Sequence, residues 1–211
     1  MSVYQTDDEQ VEALKKWWKE NGKSVIGGIV LGLAIIGGWQ GWQGWRQSTG
    51  EEASVMFDML RQAVRNDQTE KAIEDGKRLI GDHGGTAYAS FAGLELARLA
   101  YQKGEKTAAR GHLQWVADTA PDPTLQEVAR LQLGHLLLDM GEYDALRDLL
   151  GKAALAAFEG EFAVLRGDLA RAQGDTAGAQ AAYRQALDLG VDDEALLRMK
   201  LVDVGGTVPA S

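Results

Sequence analysis

No cysteine occurs in the 211 residues. That excludes disulfide frameworks, thiolate metal sites and acylated cysteine anchors. Only three prolines are present, so collagen-like structure is excluded and few positions interrupt helices. Cations are in deficit, with 22 Lys and Arg against 31 Asp and Glu, and no basic run exceeds two adjacent residues. Nucleic-acid binding is therefore not expected, because it rests on clustered cations that displace condensed counterions. Motifs for chemistry are missing as well: the chain has no Gly-x-Ser-x-Gly, no phosphate-binding loop and no dinucleotide fingerprint. His83, His112 and His135 are far apart and none has metal-ligand spacing, so they are read as structural or surface residues. The glycine-rich stretch 81–85 reads as a helix end. Neither an enzyme nor a bound cofactor or metal is expected.

What is present is ordinary globular material, 45% apolar and 25% charged, enough to build a core. The N-terminal part departs from it. Residues 24–45 carry no charge, and 24–39 are almost wholly apolar or glycine. As a helix at ~1.5 Å per residue, 22 positions match a hydrocarbon layer about 30 Å thick. A cleaved signal peptide would need a short basic start and a small-x-small site; here 23 polar-rich residues precede the span and Trp39, Trp42 and Trp45 stand where cleavage would fall. The span is thus read as a retained transmembrane helix. Lys15, Lys16, Lys19 and Lys23 precede it and only Arg46 follows closely, which places the N-terminus in the cytoplasm and the larger part outside. Trp17 and Trp18 would lie at the inner interface and the later tryptophans at the outer one, either as an interfacial girdle or as a protein contact. Ser24, Gly28 and Gly32 share one helix face. Small residues four apart let a second membrane helix approach closely, although glycine is common in such helices without any partner.

Beyond residue 50 the chain has few β-branched runs, and Ala and Leu recur at three- and four-residue intervals, a helical period. Asp67, Gly104, Gly141 and Gly174 align at spacings of 37, 37 and 33, each between two helix-like stretches. Seven residues before the later three come Ala97, Gly134 and Gly167; five after come Ala109, Leu146 and Ala179; nine after come Leu113, Leu150 and Tyr183. Small residues mark close helix contact and large ones fill the adjoining hole. This pattern resembles the tetratricopeptide repeat, with a degenerate first unit that has Asp67 at its turn and Gly76 where an aromatic is expected. The fold class is all-α: a cytoplasmic tail at 1–23, a transmembrane helix at 24–45, a linker at 46–52, about four helical hairpins with a capping helix at 53–204, and a frayed tail at 205–211. Asp192 and Asp193 read as caps of the last helix.

In such a solenoid the first helix of each hairpin lines a concave face. The residues expected there are Phe57, Arg61, Phe91, Leu94, Arg98, Tyr101, Leu131, His135 and Leu138. Aromatic and aliphatic anchors with interspersed Arg suit a groove for peptide segments; the alternative is burial between repeats.

The order of these features, with the local wording Trp17-Trp18, Lys23, a glycine-rich span and the Trp and Gln residues after it, resembles the YfgM family of Gram-negative bacteria, ancillary subunits of the SecYEG translocon. The resemblance implies a single-pass inner-membrane protein with a periplasmic repeat domain. It also implies association with SecYEG and with a PpiD-like membrane-anchored chaperone, and the passing of secreted client polypeptides to periplasmic chaperones. Ser24, Gly28 and Gly32 would then dock on translocon or chaperone helices. Other readings of the same layout are an anchored regulator of envelope-stress signalling that acts through the cytoplasmic tail, and a general envelope scaffold.

Overall fold

A computed structural model describes residues 7–207, with all their side chains except those of residues 7–10, 13, 29 and 40–48. The side chains of Trp42 and Trp45 thus lie outside the described residues. Among the described residues the chain is helical and without strands: α1 Asp7–Arg65, α2 Thr69–His83, α3 Ala87–Gln102, α4 Lys106–Thr119, α5 Pro123–Asp139, α6 Tyr143–Leu150, a 3-10 turn Ala156–Phe158, α7 Glu159–Ala172, α8 Thr176–Leu189 and α9 Glu194–Asp203. The chain divides into two compact units at residues 49 and 50.

The first unit is the N-terminal part of α1. An apolar stretch long enough to cross a membrane runs over Leu14–Trp39, and its large side chains, among them Ile26, Val30, Leu33 and Ile36, are exposed. Trp17 and Trp18 stand with ring centroids 6.5 Å apart, and the latter ring covers Gly22. Residues 46–52, expected as a linker, are helical. One glycine, Gly50, costs about 1 kcal/mol relative to alanine, too little to break a helix whose flanking turns favour it.

The second unit holds the repeats. The C-terminal part of α1 pairs with α2, α3 with α4, α5 with α6 and α7 with α8, and α9 packs on α8. All four turns are built alike. Asp67, Gly104, Gly141 and Gly174 have φ of 56°, 78°, 71° and 76°, and the amide after each donates to the carbonyl five residues back: Gln68 to Ala63, Glu105 to Ala100, Glu142 to Leu137 and Asp175 to Ala170, each 2.9 Å. This closure satisfies carbonyls left open at a helix end, and it requires a left-handed residue, for which glycine has no Cβ penalty. Helix starts are capped by side chains: Thr86 accepts from the Ala89 amide at 3.2 Å, Asp122 from Thr124 at 2.8 Å, Asp175 from Gly178 at 2.9 Å and Asp193 from Leu196 at 3.0 Å.

The expected close contacts are present. A Cβ on Gly134 would fall 2.3 Å from Leu165 Cδ2, and one on Gly167 would fall 2.3 Å from Tyr183 Cε1. Gly76, the odd position of the first unit, is filled from the next hairpin by Leu96, 2.9 Å from a would-be Cβ. The core is therefore a chain of local clusters. One joins α1, α2 and α3 around Leu60, Leu79 and Leu99; a second joins α3 to α7 around Leu133, Leu146 and Leu165; a third joins α7, α8 and α9 around Tyr183, Leu197 and Leu201. Each fully buried leucine contributes roughly 1.5–3 kcal/mol. This local stacking keeps the exposed faces of α1, α3, α5 and α7 in register.

Candidate functional site

Three adjoining depressions lie along the first helices of the hairpins. The first is formed by Phe57, Arg61, Val64, Arg65, Phe91 and Leu94, with Glu95, Arg98 and Gln132. Arg98 and Gln132 also border the second, which holds Tyr101, Leu113, Leu136 and Asp139. His135 borders the second and the third, where Leu131, Val164, Val191 and Leu196 meet Glu161, Asp192, Asp193 and Lys200. Shared walls make one groove from α1 to α9 within the repeat domain.

The register explains this juxtaposition. Phe57, Leu94 and Leu131 are 37 residues apart, as are Arg61, Arg98 and His135; one repeat period carries each onto the same place of the next hairpin. At the first end Phe57, Tyr88 and Phe91 form an aromatic cluster with centroids 5.8–6.5 Å apart, in which Tyr88 and Phe91 meet edge to face and Phe57 is tilted against both. Phe91 and Tyr101 are 38% and 50% exposed, so both present apolar area to a partner.

Of the nine residues the sequence points to, eight line this groove: Phe57, Arg61, Phe91, Leu94, Arg98, Tyr101, Leu131 and His135. Leu138 is half-buried and packs against the central core cluster. Sequence reasoning missed the far end. The same series, continued by the last spacing of 33, falls on Val164, which lines the third depression. Arg65, Gln132, Glu161, Asp192 and Lys200 were also missed, and for Asp192 and Lys200 no repeat signal exists, because α9 belongs to no hairpin.

Four of the nine charged side chains that line the groove are paired. Arg98 donates to Glu95. Asp139 accepts from Lys106 at 2.8 Å and from the Tyr101 hydroxyl at 3.2 Å, and these bonds hold its carboxyl below the ordinary range while the Lys106 ammonium is raised. Lys200 lies 2.7 Å from Asp168, a carboxylate only 6% exposed that also accepts from the Tyr183 hydroxyl at 2.8 Å. Burial first, and this carboxylate second, push the Tyr183 hydroxyl well above its usual value. The His135 imidazole is lowered by burial, and the opposing influences of Asp168 and Lys200 are smaller. It is neutral at pH 7.

Among the described residues no group of three or more His, Asp or Glu is placed to hold a metal ion. In the first unit Ser24 and Gly28 are exposed and Gly32 is partly so. Nothing lies within 4 Å of a Cβ built on either glycine, so the face that carries them is open to close approach.

The chain matches the family described as a tetratricopeptide repeat-like domain over residues 15–206. Among relatives, it is 30% identical over 201 residues to a Haemophilus influenzae protein named ancillary SecYEG translocon subunit, covering 94% of this chain and 98% of that one. An Escherichia coli protein of the same name is 28% identical, over 87% of this chain and 88% of its own, and one from Neisseria gonorrhoeae is 26% identical, over 95% and 98%. The match begins inside the apolar stretch of α1 and runs through α9, so it takes in both units. The chain belongs to this family of tetratricopeptide repeat-like proteins, which includes the ancillary SecYEG translocon subunits.

Proposed function

We propose that this protein is a non-catalytic ancillary component of the SecYEG translocon in the Gram-negative inner membrane. Residues 24–45 are its single span, residues 1–23 its cytoplasmic tail, and the repeat domain lies in the periplasm. There the groove receives segments of secreted polypeptides, or of a PpiD-like membrane-anchored chaperone, and passes clients onward. The observation that carries this reading is similarity to translocon subunits through anchor and repeat domain together, in a chain whose repeat domain keeps a row of adjoining depressions with apolar and charged walls accessible. Tethering matters physically. A groove held beside a channel exit meets its clients at effective concentrations in the millimolar range, about the strength that weak, releasable contacts need.

The span supports docking by the face of Ser24, Gly28 and Gly32, whose small side chains leave room for another backbone. Photo-crosslinking probes placed in living cells at Gly32, Phe91 and Tyr101 test both halves of the proposal. The span probe is expected to capture translocon or chaperone helices and the groove probes to capture secreted chains during export. Span crosslinks confined to a second copy of this chain, together with groove probes that capture nothing, would overturn it.

A further inference from the structure

The charge left over in the groove sits at its two ends and has opposite sign there. At the α1 end Arg61 and Arg65 are exposed and have no ion-pair partner among the described residues. At the α9 end Glu161 and Asp192 likewise have none, and Asp193, whose Oδ1 caps α9, adds a third negative charge. The other charged walls are paired: Arg98 with Glu95 and Asp139 with Lys106 between the ends, and Lys200 with Asp168 within the α9 end. The central wall is apolar or neutral, with Leu94, Tyr101, Leu131 and the neutral His135. In a chain of net charge −9, a cationic end is not what composition alone would produce.

We propose that the groove is a polarised receptor for one kind of segment: a peptide with an apolar middle, acidic residues toward one end and basic residues toward the other, seated with its acidic end at Arg61 and Arg65. This deepens the groove-binding reading above and rests on it. The physical reason is complementarity. A segment in the reverse orientation places acidic residues against Glu161 and Asp192 and basic ones against the arginines, and like-charge contacts at both ends oppose it. The apolar middle supplies the adhesion common to both orientations, and the ends select between them.

The test uses the full chain in nanodiscs of uncharged lipid and two labelled synthetic peptides of identical composition. One has its acidic and basic residues gathered at opposite ends; the other has them alternating. The gathered peptide is expected to bind about five-fold or more tightly at low salt, with the gap closing as added salt shortens the screening length to about 3 Å at 1 M. Reversing one end, by Arg61→Glu with Arg65→Glu or by Glu161→Lys with Asp192→Lys, should abolish the preference. Reversing both should restore it with the peptide turned round, read from a crosslinker on its acidic end that moves from the α1 end of the groove to the α9 end. Equal affinity for both peptides, weakened by Phe91→Ala, would overturn the polarity and leave groove binding standing. Failure of both peptides to bind would overturn the polarity and the groove binding together.

Discussion

Single atoms decide the closest points of the fold. The Gly167 hydrogen lies where any larger substituent would meet the Tyr183 ring, which cannot retreat because its hydroxyl is held by buried Asp168. Gly167→Ala is therefore expected to cost about 2–3 kcal/mol, as overpacking of a rigid contact does. Asp67 is the reverse case: it holds a left-handed conformation with φ of 56° at a turn where the other repeats have glycine. Asp67→Gly is expected to stabilise by about 0.5–1 kcal/mol, because relief of backbone strain exceeds the added freedom of the unfolded chain. Urea unfolding of residues 50–211, followed by helical circular dichroism, measures both. An unchanged midpoint for Gly167→Ala would mean that the α7–α8 contact is looser than this packing.

Between elements, the passage from α6 to α7 is the irregular one, for α6 has only 8 residues and residues 151–155 follow outside any helix. One side chain bridges it in addition to the core contacts of Leu146 and Leu149 with α7. Arg130 on α5 donates to the carbonyls of Leu149, Lys152 and Ala153 at 3.1–3.3 Å and pairs with Glu127 at 2.7 Å, both side chains being nearly buried. Its guanidinium also lies 5.0 Å from the Phe162 ring centroid, a cation–π contact. Glu127 neutralises the charge while the planar fork reaches the carbonyl of Leu149 in the last turn of α6 and those of Lys152 and Ala153 in the segment beyond it. Arg130→Ala should lower stability by about 3 kcal/mol, because it strands a buried carboxylate as well as the loop. Arg130→Lys should recover only part of that, since an ammonium lacks the fork. Full recovery by Lys would show that charge alone holds the join.

At the scale of the molecule, core clusters succeed one another along the repeat domain, and its stability depends on pH through the few groups that folding perturbs. His112 and His135 are both lowered, in each case chiefly by burial, with Lys77 adding to the first. The unfolded chain then binds protons more readily than the folded one, so stability is intact above about pH 6.5 and declines as pH falls from there toward the folded-state values. The Asp139 carboxyl is lowered from 3.8 and loses its contribution only in a separate, more acidic window. Between about pH 7.5 and pH 5.5 the unfolding midpoint of residues 50–211 should therefore drop, and His135→Gln should flatten that slope. A slope that His135→Gln and His112→Gln together leave unaltered would assign the pH dependence to other groups.

What the sequence by itself determined is the part written in local periods. An uncharged apolar run as long as a bilayer is thick, turn residues at a fixed spacing, and small residues at the helix contacts specify an all-α chain of hairpins, because helix period and left-handed turns are encoded within a few residues. The groove series was legible through α5 for the same reason, and Val164 could have been found by continuing it. Only tertiary structure decided the rest. Leu138 turned toward the core by its place between α5 and its neighbours. Leu96 filled the hole that Gly76 left open from a neighbouring hairpin. Asp192 and Lys200 came to the groove from α9, which has no repeat period. Pairing distributed the charges as well: it needs side chains at contact distance, and among the described residues it left Arg61 and Arg65 without an ion-pair partner at one end and Glu161 and Asp192 at the other.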